Sequence, residues 1–299
     1  MEKWIIFTFL YAVFNGIFQC AKKKSIEKNT IYEVLAYFST IAFLIVACTC
    51  KNVFKIELSY ILTILFKSII IIAAWILSLY SMSKMSVSMF SIIHLSRIIF
   101  SVILSVLLLG ENLTVSAIIG LFIVILGLVL VNKDSDKSDY KETSFKVIGI
   151  LLISSLLSSL SAIIDKKVLV NITSMQMQFW FMLFLSLGYW LILFLRKKNV
   201  EENKIKRNIK NEKIQKNKKT NKKINYWILI TAICLAVGDR FLFMANEIPE
   251  SKASIITIIQ QISTIEIILL GKVLFKEKNI IRKLLCSILI IFGIALTLI

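Results

Sequence analysis

Apolar residues occur along this chain in long runs, separated by short polar segments. Most runs contain about 20 residues, the length that a helix needs to cross the hydrocarbon core of a bilayer. Because lipid cannot hydrogen-bond to the backbone, such runs are predicted to be helices. The predicted transmembrane helices cover residues 4–20, 30–50, 58–80, 84–109, 113–131, 145–164, 174–195, 225–246, 251–271 and 280–298.

Composition agrees with a membrane protein. The chain has 299 residues, of which 58% are hydrophobic, and it contains one proline. The ten spans leave little room for a soluble domain, so we expect an all-α integral membrane protein in the cell membrane, either a plasma membrane or a bacterial inner membrane. The sequence contains no HExxH, GxSxG or P-loop motif and one histidine. It therefore predicts neither an enzyme nor an ATP-driven pump, and no metal or cofactor.

One signature occurs twice, about 166 residues apart. The first copy, LLLGENLTVSAIIGLFIVILGLVL, contains Glu111 and Gly127, and the second, FKEKNIIRKLLCSILIIFGIAL, contains Glu277 and Gly293. In each copy the glutamate precedes its glycine by 16 residues, and a small residue lies nine positions after the glutamate. These small residues predict close packing of the fifth and tenth helices, with Gly120 and Gly127 against Cys286 and Gly293. Internal duplication of this kind in a membrane protein is typical of transporters.

The repeat predicts how the helices are arranged. Five spans per copy is an odd number, so the second copy must enter the membrane upside down, giving ten transmembrane helices as two inverted five-helix repeats. A site between such repeats can face either side of the membrane in turn. The predicted boundaries are 1–131 for the first repeat, 132–144 for the connecting loop, and 145–299 for the second repeat with its basic loop at 196–224.

The paired endings, together with NEIPESKASIITIIQQIS and its counterpart YSMSKMSVSMFSIIHLS, resemble the EamA-type family of the drug/metabolite transporter superfamily. The resemblance covers nearly the whole chain and implies a secondary transporter of small metabolites. Members of the family often carry a proline midway along the fourth and ninth helices. This chain has Ile98 and Thr264 near those positions, and its only proline is Pro249.

Basic residues predict the orientation of the protein. Of its 36 lysines and arginines, 13 lie between Arg196 and Lys223, in a segment without apolar periodicity that is predicted to be a solvated, disordered loop. No aromatic residues alternate with these charges, so nucleic acid is not an expected partner. Basic residues are concentrated in the odd-numbered loops, which places those loops in the cytoplasm and both termini outside.

Polar groups deep in the apolar spans are the candidate functional residues, because a charge at the bilayer centre costs about 3 kcal/mol on insertion scales. His94 and Arg97 are three residues apart and are expected on one face of the fourth helix. Arg97 is expected either to line a cavity or to pair with Glu266 or Asp239. The candidate substrate-binding residues are His94, Arg97, Asp239, Arg240, Gln260, Glu266, Lys67 and Trp75.

The charges among these candidates indicate a substrate. Three cations and two anions leave 3 − 2 = +1 before His94 is counted, which favours a carboxylate or phosphate group. The sequence thus predicts an exporter or exchanger of a small molecule, an amino acid or organic anion, by alternating access. A flippase for a lipid-linked substrate and a cationic multidrug exporter are the alternatives. Proton coupling through His94, Asp239 or Glu266, and a homodimer, are both compatible with the sequence.

Overall fold

The computed structural model describes residues 3–109, 114–133, 145–208, 225–248, 250–251, 256 and 259–297, and the regular structure in these ranges is helical. The protein is therefore an all-α membrane protein, as the apolar runs predict. The helices are α1 (Lys3–Ile26), α2 (Ile31–Thr49), α3 (Leu58–Lys84), α4 (Val87–His94), α5 (Arg97–Leu109), α6 (Val115–Lys133), α7 (Phe145–Val168), α8 (Ser174–Asn208), α9 (Tyr226–Glu247), α10 (Ile262–Phe275) and α11 (Ile280–Thr297).

The helices lie at the predicted spans, and most of them run past the predicted end, α1 and α8 by the most. α1 continues to Ile26 and includes Lys22 and Lys23, and α8 continues to Asn208, so the first part of the predicted basic loop is helical. The apolar run ends where the hydrocarbon ends, whereas backbone hydrogen bonding continues beyond that boundary. Several predicted features lie outside the described residues: 209–224 of the basic loop, 134–144 of the connecting loop, Glu111, Pro249, and 252–255 and 257–258 of the ninth predicted span.

Within the ranges given above, seven helical segments are long and apolar enough to cross a membrane: α1, α2, α3, the α4–α5 segment, α7, α8 and α9. α6 contains a shorter apolar stretch, Ile118–Leu130. Large apolar side chains face outward, among them Phe66, which is 60% exposed, and Phe122, which is 63% exposed. Apolar surface of this kind is unfavourable in water and favourable against lipid chains. The outer surface of the helices therefore fits a bilayer.

Small residues bring α6 and α11 into close contact, as the repeated signature predicts. A Cβ built on Gly293 would lie 2.9 Å from the carbonyl oxygen of Gly120 and 3.0 Å from the side chain of Ile123. A Cβ built on Gly127 would overlap the side chain of Ile290. Backbones approach this closely only where the residues between them are small. The signature glycines thus form a contact between helices from the two halves of the chain.

Gly293→Ala is expected to lower the free energy of unfolding by about 1–3 kcal/mol, because the added methyl group must displace the backbone of Gly120. Gly149→Ala is the matched control, since a Cβ there meets nothing within 4 Å. Alanine has the higher helix propensity, so this control should be neutral or stabilising. Thermal unfolding of both variants in detergent checks the prediction, and equal midpoints would contradict the close contact.

Candidate functional site

The segment predicted as the fourth transmembrane helix is interrupted at its centre. α4 ends at His94 and α5 begins at Arg97. Between them the amide of Leu95 donates to the carbonyl of Ile92, and the amide of Ser96 also bonds three residues back. Such bonds wind the chain more tightly than an α-helix and change the direction of the side chains that follow. The expectation of a continuous fourth helix is therefore wrong, and the break forms without a proline.

A second break precedes α10. Gln261 forms a turn between helical Gln260 and the start of α10, and its carbonyl accepts a hydrogen bond from the amide of Thr264 at 2.9 Å. This bond again joins residues three apart. The repeat offset relates the two breaks, because 95 + 166 = 261. The helix is thus interrupted at equivalent positions of the two copies.

The two breaks contact each other. Nη2 of Arg97 donates to Oε1 of Gln260 at 3.1 Å, and the carbonyl oxygen of Arg97 accepts from the hydroxyl of Ser159 on α7. Asn15 of α1 donates to Oγ of Ser263 at 3.2 Å, and the hydroxyl of Ser263 donates to the carbonyl of Gln260 at 2.7 Å. These five residues, which we call the central polar site, form a hydrogen-bonded path from α7 through both breaks to α1.

Arg97 has a neutral hydrogen-bond partner. In the part of the chain that the structure describes, no ion pair within 4.0 Å joins Arg97 to Asp239 or Glu266, so the expected pairing with either residue is wrong. A guanidinium carries five N–H donors, of which one is bound to Gln260. Its charge and remaining donors can therefore bind an anion.

Two titratable residues lie beside Arg97. His94 is partly buried, stacks on Phe90 with the ring centroids 5.5 Å apart, and lies within electrostatic range of Arg97. Tyr11 of α1 lies within electrostatic range of both Arg97 and Asp239. His94 and Tyr11 thus border the central polar site, one from α4 and the other from α1. Tyr11 was absent from the predicted site, because a tyrosine in an apolar span is usually a packing residue.

Lys67 of α3 forms an ion pair with Asp165 of α7. The lysine is 2% exposed, and its Nζ lies 3.9 Å from the ring centroid of Phe181. Asp239 lies within electrostatic range of both members of the pair. Lys67 is therefore held by an ion pair and was predicted only as a substrate-binding residue. Its partner was missed, because Asp165 follows the predicted end of its span by one residue. Pairing neutralises Lys67, so the count of three available cations does not hold.

Two more predicted residues lie apart from the central polar site. Arg240 donates to Sγ of Cys50 at 2.8 Å and to Oγ1 of Thr49 at 3.3 Å, both at the C-terminal end of α2. Trp75 packs in an aromatic cluster, with its ring centroid 5.9 Å from that of Phe38. Neither residue contacts Arg97 or Gln260 through a described hydrogen bond.

Lys22 is a buried cation. The sequence places it in the first loop, after the predicted span 4–20. It is 2% exposed, and its Nζ lies 4.7 Å from the ring centroid of Phe18 and 5.6 Å from that of Trp75. Cation–π contacts of this kind offset part of the cost of burying a charge. This burial could not be predicted, because Lys22 begins a run of three lysines at the end of an apolar span.

Glu266 of α10 lies against Gly16 of α1. A Cβ built on Gly16 would overlap the carboxyl group of Glu266, so this glycine provides the space that the carboxyl occupies. Oε2 of Glu266 is buried and has no hydrogen-bond partner. The residue is thus placed between α1 and α10, three positions beyond Ser263 of the central polar site.

Glu277, the signature glutamate of the second copy, caps the start of α4. Its Oε1 accepts from the amide of Val87 at 2.7 Å, and its Oε2 accepts from the amide of Ser88 at 3.3 Å and from Nζ of Lys283 at 3.3 Å. A carboxylate at a helix N-terminus is stabilised by the helix dipole. The sequence indicated the importance of this glutamate through its spacing, and its contacts hold the α10–α11 turn against α4.

Asp165→Asn is expected to lower the free energy of unfolding by about 3–5 kcal/mol, because it leaves the charge of Lys67 buried without a counter-ion. The double variant Lys67→Met/Asp165→Leu removes both charges and should recover most of this loss. Thermal and denaturant unfolding in detergent measure both effects. A double variant that is as unstable as the single one would contradict a mainly electrostatic role for this pair.

Comparison with known proteins shows what this arrangement is similar to. Residues 2–296 match the model of the triose-phosphate transporter family. An uncharacterized protein from Methanocaldococcus jannaschii is 28% identical over 136 residues, which is 44% of this chain and 98% of that protein. A solved crystal structure of a protein superimposes with a TM-score of 0.63 at 11% identity, covering 99% of this chain and 98% of that one. The structural likeness shows the fold alone.

The family match bears on the predictions from sequence. The triose-phosphate transporter family is part of the drug/metabolite transporter superfamily, so the predicted superfamily is confirmed. It is a family of transporters, which confirms that the protein is a multi-pass membrane transporter and not an enzyme. The narrower EamA type and an efflux direction stay predictions.

Proposed function

Because the chain belongs to the triose-phosphate transporter family, we propose that it is a secondary transporter of a small anionic metabolite, which binds at Arg97 in the central polar site. The observation that carries this proposal is an arginine inside the membrane whose one described side-chain partner is the neutral amide of Gln260. A buried charge without a counter-ion is unfavourable, and a bound carboxylate or phosphate would supply the missing negative charge.

Alternating access is the proposed mechanism. The ten transmembrane segments, with α4 and α5 counted as one, would form two inverted five-helix repeats at 1–131 and 145–299. Three features support this arrangement: the offset of 166 that relates the two helix breaks, the contact between α6 and α11, and the relative that matches 44% of this chain over 98% of its own length. Interrupted helices at a repeat interface are common binding elements in transporters. The central polar site, which lies at both breaks, would then open to each side in turn.

The site favours a small molecule with a carboxylate or phosphate group, such as an amino acid, an organic acid or a sugar phosphate. The family name describes triose phosphates, which carry such a group. Gln260, Asn15 and the serines supply neutral hydrogen-bond partners for the rest of the molecule. A cationic drug would meet the charge of Arg97 at close range, so the multidrug reading is disfavoured. The proposed orientation is the one predicted from sequence, with the basic odd-numbered loops in the cytoplasm.

Ligand-induced thermal stabilisation in detergent tests the proposed binding site. We expect an anionic metabolite from a panel of amino acids, organic acids and sugar phosphates to raise the unfolding midpoint, because a ligand that binds only the folded state stabilises it by mass action. Arg97→Gln should weaken this binding by about tenfold or more, since it removes a charge-assisted hydrogen bond. Arg97→Lys keeps the charge without the planar fork and should give an intermediate effect.

Arg282→Gln is the matched control, because this arginine is exposed on α11. It should leave the ligand response unchanged. Stabilisation by cationic dyes alone, or an anion response that is equal in the wild type and in Arg97→Gln, would refute the proposed role of Arg97. A response to lipid-linked substrates alone would favour the flippase alternative.

A further inference from the structure

Glu266 lies in surroundings that provide no charge to balance a carboxylate. It belongs to α10 and presses against the backbone of α1 at Gly16. In the described ranges, no lysine, arginine or histidine forms an ion pair with it within 4.0 Å. An ionised carboxylate in a membrane interior requires a cation, hydrogen-bond donors or water. The described surroundings of Glu266 contain neither a paired cation nor a hydrogen-bond donor to Oε2.

Buried hydrogen-bond acceptors without donors also indicate that Glu266 carries a proton. Oε2 of Glu266 is a buried acceptor without a donor. Oε1 of Gln19, three residues after Gly16 on α1, is another, and the amide nitrogen of Gln19 already donates to Oδ1 of Asn15 at 3.3 Å. Buried polar atoms are normally satisfied, so a buried acceptor without a donor lacks a hydrogen. A proton on Glu266 supplies one such hydrogen and removes the uncompensated charge.

The titratable groups near Glu266 do not supply a positive charge to balance its carboxylate. The thiols of Cys20 on α1 and Cys234 on α9 lie within electrostatic range of Glu266, and a thiol provides no positive charge. α4 also packs against α10, and its one titratable residue, His94, lies close to Arg97 and Lys22 instead. At the cytoplasmic end predicted for α11, Glu277 is already bound to amides and to a lysine.

We infer that Glu266 is a proton-binding site that controls the packing of α1 against α10. The closed packing at Gly16 fits the neutral carboxylic acid, formed when the carboxylate takes one proton from solvent. Release of that proton leaves a charge that must reach water, so α1 and α10 separate. The carboxyl lies three residues from Ser263 of the central polar site, which is hydrogen-bonded to the same helix α1. Proton occupancy and access to the central polar site therefore change together.

This inference rests on the proposed function for its transport consequence, namely that anion movement is coupled to a proton. The proton site itself can be tested without any substrate. Cys20 reports directly on the α1–α10 contact, because it is buried, free and one helical turn from Gly16. A variant that retains only Cys20, with the other four cysteines changed to serine, gives a single-site measurement of accessibility by maleimide labelling.

We expect labelling of Cys20 to increase several-fold with pH beyond the increase in the Glu266→Gln background. An ionised Glu266 disfavours the thiolate of Cys20, so this chemical effect alone would make labelling rise less with pH in the wild type than in Glu266→Gln. A larger rise in the wild type therefore measures the opening of the helix contact. Glu247→Gln, at an exposed glutamate of α9, is the matched control and should behave as the wild type. A variant that retains only Cys286, on α11, should show no effect of Glu266→Gln.

Glu266→Met provides a second neutral side chain in case Glu266→Gln does not fold. Equal pH dependence of Cys20 labelling with Glu266 and with either neutral residue would overturn the proton site. In proteoliposomes, a pH gradient should drive anion accumulation in the wild type but not in Glu266→Gln, because the neutral side chain holds the α1–α10 contact closed. If labelling responds as expected while no anion is transported, the proposed function fails and the proton site stands. If anions are transported but labelling and transport ignore both pH and Glu266, the proton site fails alone.

Discussion

The contact between Arg97 and Gln260 joins the two points at which the membrane helices are interrupted. Lipid offers no hydrogen bonds to an interrupted backbone, so every group that a break releases must find a partner inside the protein. Side chains provide such partners here: Ser159 of α7 donates to the carbonyl of Arg97, and Ser263, three residues further along the chain, donates to the carbonyl of Gln260. The same breaks bring polar side chains together in the middle of an otherwise apolar bundle. The polar side chains that satisfy the interrupted backbone therefore also form a place where a polar ligand can bind.

Other charged side chains in the bundle are stabilised in different ways. Lys67 is neutralised by Asp165, Lys22 lies over aromatic rings, and Glu277 is bound to the start of α4. Arg97 has a neutral partner, and one oxygen of Glu266 has none. The groups that are satisfied hold helices together. Arg97 and Glu266 lie close to the contact between α1, α10 and the helix breaks, where ligand binding and movement would have the largest effect.

Much of the fold could be predicted from the sequence, because lipid imposes one rule on every apolar run. The helices follow the predicted spans, and the repeated glycines predicted the contact between α6 and α11. The partners of charged residues could not be predicted, since they depend on how helices from distant parts of the chain pack. Asp165 was not predicted as a partner because it lies just beyond the end of a predicted span. The burial of Lys22 was not predicted because this residue belongs to a run of lysines. The break at Leu95 was missed as well, because it forms through hydrogen bonds that leave no proline or glycine in the sequence.

Exchange in proteoliposomes tests the central claim most directly: a small anion binds Arg97 at the helix breaks and is carried through the membrane. Uptake of a labelled anion would be measured with and without the same unlabelled anion inside, for the wild type and for Arg97→Gln. The account predicts saturable uptake that internal anion accelerates in the wild type, and loss of that acceleration in Arg97→Gln. Uptake that is equally fast in the variant, or transport of cations in place of anions, would contradict it.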